Sequence, residues 1–219
     1  MQASVIFDMD GTLFQTHTIL EPSLEDTFGY LRSRREWSGD TPIQTYREIM
    51  GVPLPVVWET LMPAHSPAIR EAANRYFHER LIANIRSGQG ALYPHVEELF
   101  DFLKQSGYAL FIASNGQIEY LQAIVEVYRL DASVTETFSI QHIDTLDKAD
   151  LVRHIMEKYG IRSGAVIGDR LSDIHAAKRN GLLAIGCRFD FAQEHELRQA
   201  DAVVNNLLEV KAHIGRWNG

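Results

Sequence analysis

The chain has 219 residues, 45% of them hydrophobic, and a formal net charge of −8 at pH 7. That is enough apolar material for a sizeable core, in one large domain or in one domain carrying an insertion. The acidic balance, with no basic run longer than Arg34-Arg35, leaves no footprint for nucleic acid or an anionic membrane surface and points to a small partner. The single cysteine, Cys187, cannot form an internal disulfide, and its apolar setting reads as strand core. The apolar stretch before the first acid is too short for a signal peptide or a membrane span, so a soluble cytoplasmic protein is expected.

The first element is Val5-Ile6-Phe7, a β-rich run that stops at Asp8-Met9-Asp10-Gly11-Thr12. It reads as a buried parallel strand delivering acids to the carboxyl edge of a sheet, where open α/β sheets place their chemistry. Helical periods follow, with Leu24, Phe28 and Leu31 on one face, Ile43, Tyr46 and Met50 on another, and Ile69, Ala72, Ala73, Tyr76 and Phe77 on a third. Pro53, Pro55, Pro63 and Pro67 punctuate them. A block this long exceeds one crossover helix, so residues 16–88 are expected to form an inserted helical domain, with residues 1–15 and 89–219 as the core.

The chain returns through Ser87-Gly88-Gln89-Gly90, and from there strand and helix alternate. Strands are expected to Ala113, near Thr137 to Ile140, to Ile167 and to Cys187, with a short last one at Ala202-Val203-Val204. Helices between them bury Val96, Leu99 and Phe100, then Leu121 and Ile124, then Leu151, Val152 and Ile155, then a segment from about Ile174 to Asn180. Such alternation specifies a doubly wound parallel sheet, an α/β Rossmann-like core with helices on both faces.

The chemistry gathers at the strand ends. Asp8 is placed to act as a nucleophile, and Asp10, two residues on along an extended chain, to exchange protons with a leaving group and an attacking water. Gly11 lets the backbone turn, and the Thr12 hydroxyl can tie that turn. Ser114, at the end of the second strand, can donate to an anion, with the amides around Asn115 expected where a helix begins. Lys148, at the start of a helix, supplies a compact positive charge, and Gly168-Asp169-Arg170-Leu171-Ser172-Asp173 brings two more acids to a strand end. Oxygen ligands gathered in this way suit a hard ion such as magnesium.

In sequence order, DxDGT, a strand-end serine, a lone lysine and GDxxxD resemble the four motifs of the haloacid dehalogenase superfamily, over essentially the whole chain. The resemblance implies an α/β core with an inserted α-helical cap that closes over the active site, and a magnesium-dependent phosphatase working through an aspartyl phosphate. It implies Asp8, Asp10, Thr12, Ser114 and Lys148 in catalysis, and Ser114, Asn115 and Lys148 on the substrate. The metal would fall to Asp8, the backbone carbonyl of Asp10, and Asp169, with Asp173 in support. Two departures stand out: Ala149 follows the lysine where many relatives have proline, and Arg188-Phe189-Asp190-Phe191 replaces a glycine-rich turn.

From Gln15 to Gly90 there are eight arginines and no lysine. A Schiff base to a cap lysine is therefore excluded, and β-phosphoglucomutase-like phosphoryl transfer is disfavoured. What remains resembles the phosphoglycolate phosphatase and small nucleotidase branch, acting on a small phosphorylated metabolite as a monomer or homodimer. Arg47, Arg70 and Arg75 are candidates for gripping a second anionic group, and His17 and His142 lie near enough the motifs to touch substrate. A non-catalytic phospho-ligand binding or signalling module is the alternative of another class; it would be expected to lack one of the acids or the lysine, and none is missing.

Overall fold

Short β-rich runs separated by helical periods produce a mixed α/β chain. The computed structural model describes residues 3–49, 54–190 and 192–214; Met50, Pro53, Phe191 and the Pro55 side chain, named above, lie outside them. In chain order the elements are β1 (Ser4–Phe7), α1 (His17–Ser33), α2 (Ile43–Glu48), α3 (Leu54–Leu61), α4 (Pro67–Arg86) and α5 (Val96–Gln105). These are followed by β2 (Ala109–Ser114), α6 (Ile118–Tyr128), β3 (Glu136–Ser139), α7 (Lys148–Tyr159) and β4 (Gly164–Gly168). The chain then runs through α8 (Leu171–Arg179), β5 (Leu183–Cys187), α9 (Glu194–Leu197), β6 (Ala202–Val204) and α10 (Val210–Ile214).

The six strands form one parallel sheet in the order β3-β2-β1-β4-β5-β6. β1 is central because its residues Val5, Ile6 and Phe7 are all fully buried and can take neighbours on both edges. The chain builds outward from β1 through β2 to β3, then restarts on the other side at β4. That makes the gap between β1 and β4 the topological switch point, the place at which open α/β sheets bind their ligands. Alternate residues serve opposite faces: Ile6, Phe111, Ala113 and Val166 share a core with α7 and α8, while the Phe7 ring packs on Phe100 of α5 at 5.1 Å between centroids.

By its internal contacts the chain divides into two units, Met1–Gln15 with Ala91–Gly219, and Thr16–Gly90. The first unit closes on itself at the point of insertion: Gln15 donates its N–H to the Ala91 carbonyl, and Tyr93 to the Leu13 carbonyl, both at 2.9 Å. In the second unit α1 and α4 pack together, burying Leu24, Phe28 and Leu31 and Ala73, Phe77, Leu81 and Ile85. Asn84 in this interface donates to the Ser23 hydroxyl at 2.9 Å, and Trp58 donates to Asn74 at 2.9 Å. Two of the arginines considered for an anion grip are engaged inside this unit. Arg47 makes a forked contact to Glu21 at 2.5 and 2.8 Å, and Arg70 donates to the carbonyls of Met62 and Pro63 at 3.0 and 2.8 Å; Arg75 is exposed.

Three expectations shift. The helix expected from Ile174 begins at Leu171, because extended Arg170 is its cap and Asp173 turns back to accept the Arg170 N–H at 3.0 Å. The helix after β2 begins at Ile118, so Asn115 lies in the bend before it, and the Gln141 side chain accepts the Ile118 N–H at 2.8 Å. The short helix α9 lies in a segment for which no helix was expected. Among the described residues no helix is long and apolar enough to cross a membrane.

Candidate active site

Parallel pairing of β1 with β2 and β4 sets three strand ends side by side. Phe7, the last residue of β1, is in register with Ile112 and Ile167, so the residues that follow all emerge at the same edge. Asp8 still donates its N–H to the Ile167 carbonyl at 2.8 Å, so its backbone is part of the ladder and its carboxylate has little freedom. The chain then turns at Gly11, whose φ of +74° only glycine adopts without strain. A Cβ there would also lie 2.6 Å from Asp169 Oδ2, so glycine is required for space as well as for conformation.

Around this turn the acids and the lysine meet. Lys148, at the first position of α7 and only 5% exposed, places its ammonium 2.5 Å from Asp8 Oδ1 and 2.5 Å from Asp173 Oδ1. Asp147 caps α7 by accepting the Ala149 N–H at 2.9 Å, a bond that the proline common at this position could not donate. Asp173 lies close against the backbone, where a side chain at Gly168 would overlap it. The Thr12 hydroxyl, expected to tie its own turn, instead donates to Asp169 Oδ1 at 3.3 Å, linking the first and fourth motifs.

Ser114 is buried at the end of β2, and its oxygen accepts the Gly116 N–H at 3.0 Å, which leaves its O–H to donate. Asn115 is exposed. His142 is occupied by its own turn, accepting the Ser139 N–H at 3.0 Å. Cys187 is buried in β5, where burial pushes its thiol well above the usual range.

Asp8, Asp169 and Asp173 are buried, with ligand oxygens within 4.8 Å of one another. Against three carboxylates stands one buried ammonium, so full ionisation leaves two negative charges away from water. The structure registers this conflict. Burial pushes the Asp8 carboxyl well above its ordinary range, Lys148 pulls it back, and Asp173, Asp169 and Asp10 push it up again. Burial and then Asp173 raise Asp169 from 3.8 to about 7. Burial acts to lower the Lys148 pKa, but Asp173 and Asp8 outweigh it and hold the ammonium above its usual range. An oxygen donor set with two charges to balance fits a hard divalent cation.

The linkage yields a prediction without any turnover. Because Asp169 is raised in the folded chain, folding takes up protons; the cluster's contribution is complete below about pH 4 and is lost as pH rises through about 7. Magnesium should remove that loss. At one fixed magnesium concentration, about a hundredfold above the dissociation constant at pH 8, the melting temperature should rise by roughly 5–10 °C at pH 8 and by clearly less at pH 5. Equal shifts at the two pH values would place the ion elsewhere.

Three further residues complete the geometry, none of them singled out from the sequence. Glu196 of α9 accepts Arg170 Nε at 3.0 Å and the Leu171 N–H at 2.9 Å, bracing the loop that holds Asp169. Tyr93 stacks on Phe189 at 4.6 Å and donates to Asp190 at 2.5 Å, so the residues replacing a glycine-rich turn clasp the segment returning from Gly90. Tyr120 of α6 donates its hydroxyl to Asp10 Oδ1 at 2.5 Å. Periodicity hides such residues, because each bonds to a group far away in sequence.

A family model described as haloacid dehalogenase-like hydrolase matches residues 3–181. The chain belongs to this family. It is an enzyme, a hydrolase of the phosphatase kind, similar to the phosphoglycolate phosphatase branch of the haloacid dehalogenase superfamily. It is 28% identical to a phosphoglycolate phosphatase of Agrobacterium fabrum over 85% of this chain and 80% of that one. It is 24% identical to a 5′-nucleotidase of Pseudomonas aeruginosa over 89% and 86%. Among solved structures, one titled a predicted phosphoglycolate phosphatase from Haemophilus somnus superposes with a TM-score of 0.81 at 19% identity, over 97% of both chains, which shows the shared fold.

Proposed function

We propose that this hydrolase is a magnesium-dependent phosphatase that cleaves a small-molecule phosphate monoester through an aspartyl phosphate on Asp8. The observation that carries the reading is the convergence of Asp8, Asp169, Asp173 and Lys148 at the switch point of the sheet, with the Ser114 hydroxyl on the next strand. Binding comes first: the ammonium of Lys148 and the hydroxyl of Ser114 hold phosphoryl oxygens, and Asn115 lies beside them in sequence. An Asp8 oxygen then attacks phosphorus. The ester P–O bond breaks with its electron pair on the leaving oxygen, which takes a proton from Asp10.

In the second half a water attacks the same phosphorus and gives its proton to Asp10. The bond to Asp8 breaks, restoring the carboxylate and releasing inorganic phosphate. Bound magnesium, held by the Asp8 and Asp169 carboxylates and the Asp10 carbonyl with Asp173 in support, would neutralise charge on the phosphoryl oxygens. Thr12 keeps Asp169 in place. Residues 16–88 serve as the cap domain that selects the substrate, and residues 1–15 and 89–219 as the catalytic core. A phosphoglycolate-like or nucleotide-like monoester fits the relatives named above, and the lone buried Cys187 suits a cytoplasmic setting.

The test is phosphate release from a panel comprising p-nitrophenyl phosphate, 2-phosphoglycolate, sugar phosphates and nucleoside monophosphates, with magnesium and with chelator. Magnesium-dependent release supports the reading, and the rank order identifies the substrate class. Silence across the panel from folded protein would overturn it in favour of phosphoryl transfer or a binding role.

A further inference from the structure

We infer that Tyr120 is a positioning residue for Asp10, orienting the proton-transfer carboxyl toward the leaving oxygen; the inference rests on the role proposed for Asp10. Asp10 is the second acid of the first motif, two residues past the one that Lys148 pairs with, and it is only partly buried. A carboxylate on a turn would sample several rotamers, and general acid catalysis requires one of them. Tyr120 supplies one such constraint. Its hydroxyl donates to Oδ1 at 2.5 Å from a ring only 6% exposed, near the start of α6.

The ring is itself held. A Cβ at Gly116 would lie 3.1 Å from the ring's Cδ1 and 3.2 Å from Ser114 Oγ, so a glycine before the helix lets the tyrosine pack against the end of β2. The same strand end therefore offers a phosphate donor, Ser114, and the group that orients the acid. A phenol hydroxyl suits the task because it reaches the carboxylate from a rigid ring, with two torsions to fix and no charge to add to a site already rich in it.

The test uses Tyr120→Phe, which keeps the ring and removes the hydroxyl, in the full chain with magnesium. The kcat/KM value is read for p-nitrophenyl phosphate, whose leaving group departs without a proton, and for the best alkyl ester of the panel, whose leaving group needs one. We expect about a tenfold fall for the alkyl ester and less than about a twofold fall for the aryl ester. In an Asp10→Asn background the same change should cost the alkyl ester nothing further. Equal losses on both esters, or a tenfold loss added on top of Asp10→Asn, would reduce Tyr120 to packing and overturn the inference. A variant unchanged on both esters, beside a dead Asp8→Asn control, would sink it while leaving the phosphatase standing. A wild-type enzyme without Asp8-dependent release would bring down both.

Discussion

Replacing Asp8 by asparagine is expected to lower phosphate release by at least about 10⁴-fold while leaving the protein folded. The amide keeps the shape of the carboxylate at the end of β1 but cannot form the acyl phosphate. Stability should hold or rise, because Asp8 is buried among like charges and its carboxyl is pushed well above the ordinary range by burial. A neutral amide in its place would relieve that repulsion, while Lys148 keeps Asp173 as a partner. The check pairs an assay of phosphate release with a melting curve. Near-normal turnover in a folded variant would remove the nucleophile from the scheme, and a collapsed fold would show that the ion pair with Lys148 outweighs the repulsion.

Lys148→Met should be costly in both respects. The ammonium lies 2.5 Å from an oxygen of each of two buried carboxylates, and methionine fills most of its volume without its charge. Breaking a buried pair by removing one partner typically costs about 3–5 kcal/mol, since the partner left behind is an uncompensated charge. Asp8, whose carboxyl burial already pushes well above its ordinary range, can escape by taking up a proton, so the loss should be largest at pH 8 and shrink toward pH 5. Turnover should fall by about 10²–10³-fold, the usual cost of removing one aimed electrostatic group. Denaturant titrations at the two pH values measure the first effect. A loss independent of pH would mean that methionine disturbs packing and not charge.

The strand ends were legible because a parallel sheet converts sequence order into spatial neighbourhood. Val5-Ile6-Phe7 and Ala165-Val166-Ile167 are apolar runs followed by acids, directly in the first and after Gly168 in the second, and once the two pair in register their acids are brought together. Lys148 was legible through its place at a helix start between the serine and the fourth motif. Thr12 was found but misread: its hydroxyl bonds to Asp169 across the motifs instead of within its own turn, and sequence spacing carries no trace of that partner. Tyr120 and Glu196 are of the same kind, since a tyrosine on a helix and a glutamate in a polar segment look like ordinary surface residues until the fold supplies Asp10 and Arg170. Ala149, first noted as a departure from the common pattern, acquires a reason in the Asp147 cap.

The paired bonds of Gln15 with Ala91 and of Tyr93 with Leu13 make the insertion a single closed loop as far as the core is concerned. Closing a loop costs an entropy that grows only with the logarithm of its length, about 0.6 kcal/mol for each doubling. Segments of very different size and sequence can therefore be exchanged between those two fastenings at almost constant cost to the sheet. Change within the insertion is thereby uncoupled from the register that fixes Asp8 beside Asp169. A lineage built on this closure can rewrite residues 16–90 and leave the strand ends that carry its acids untouched.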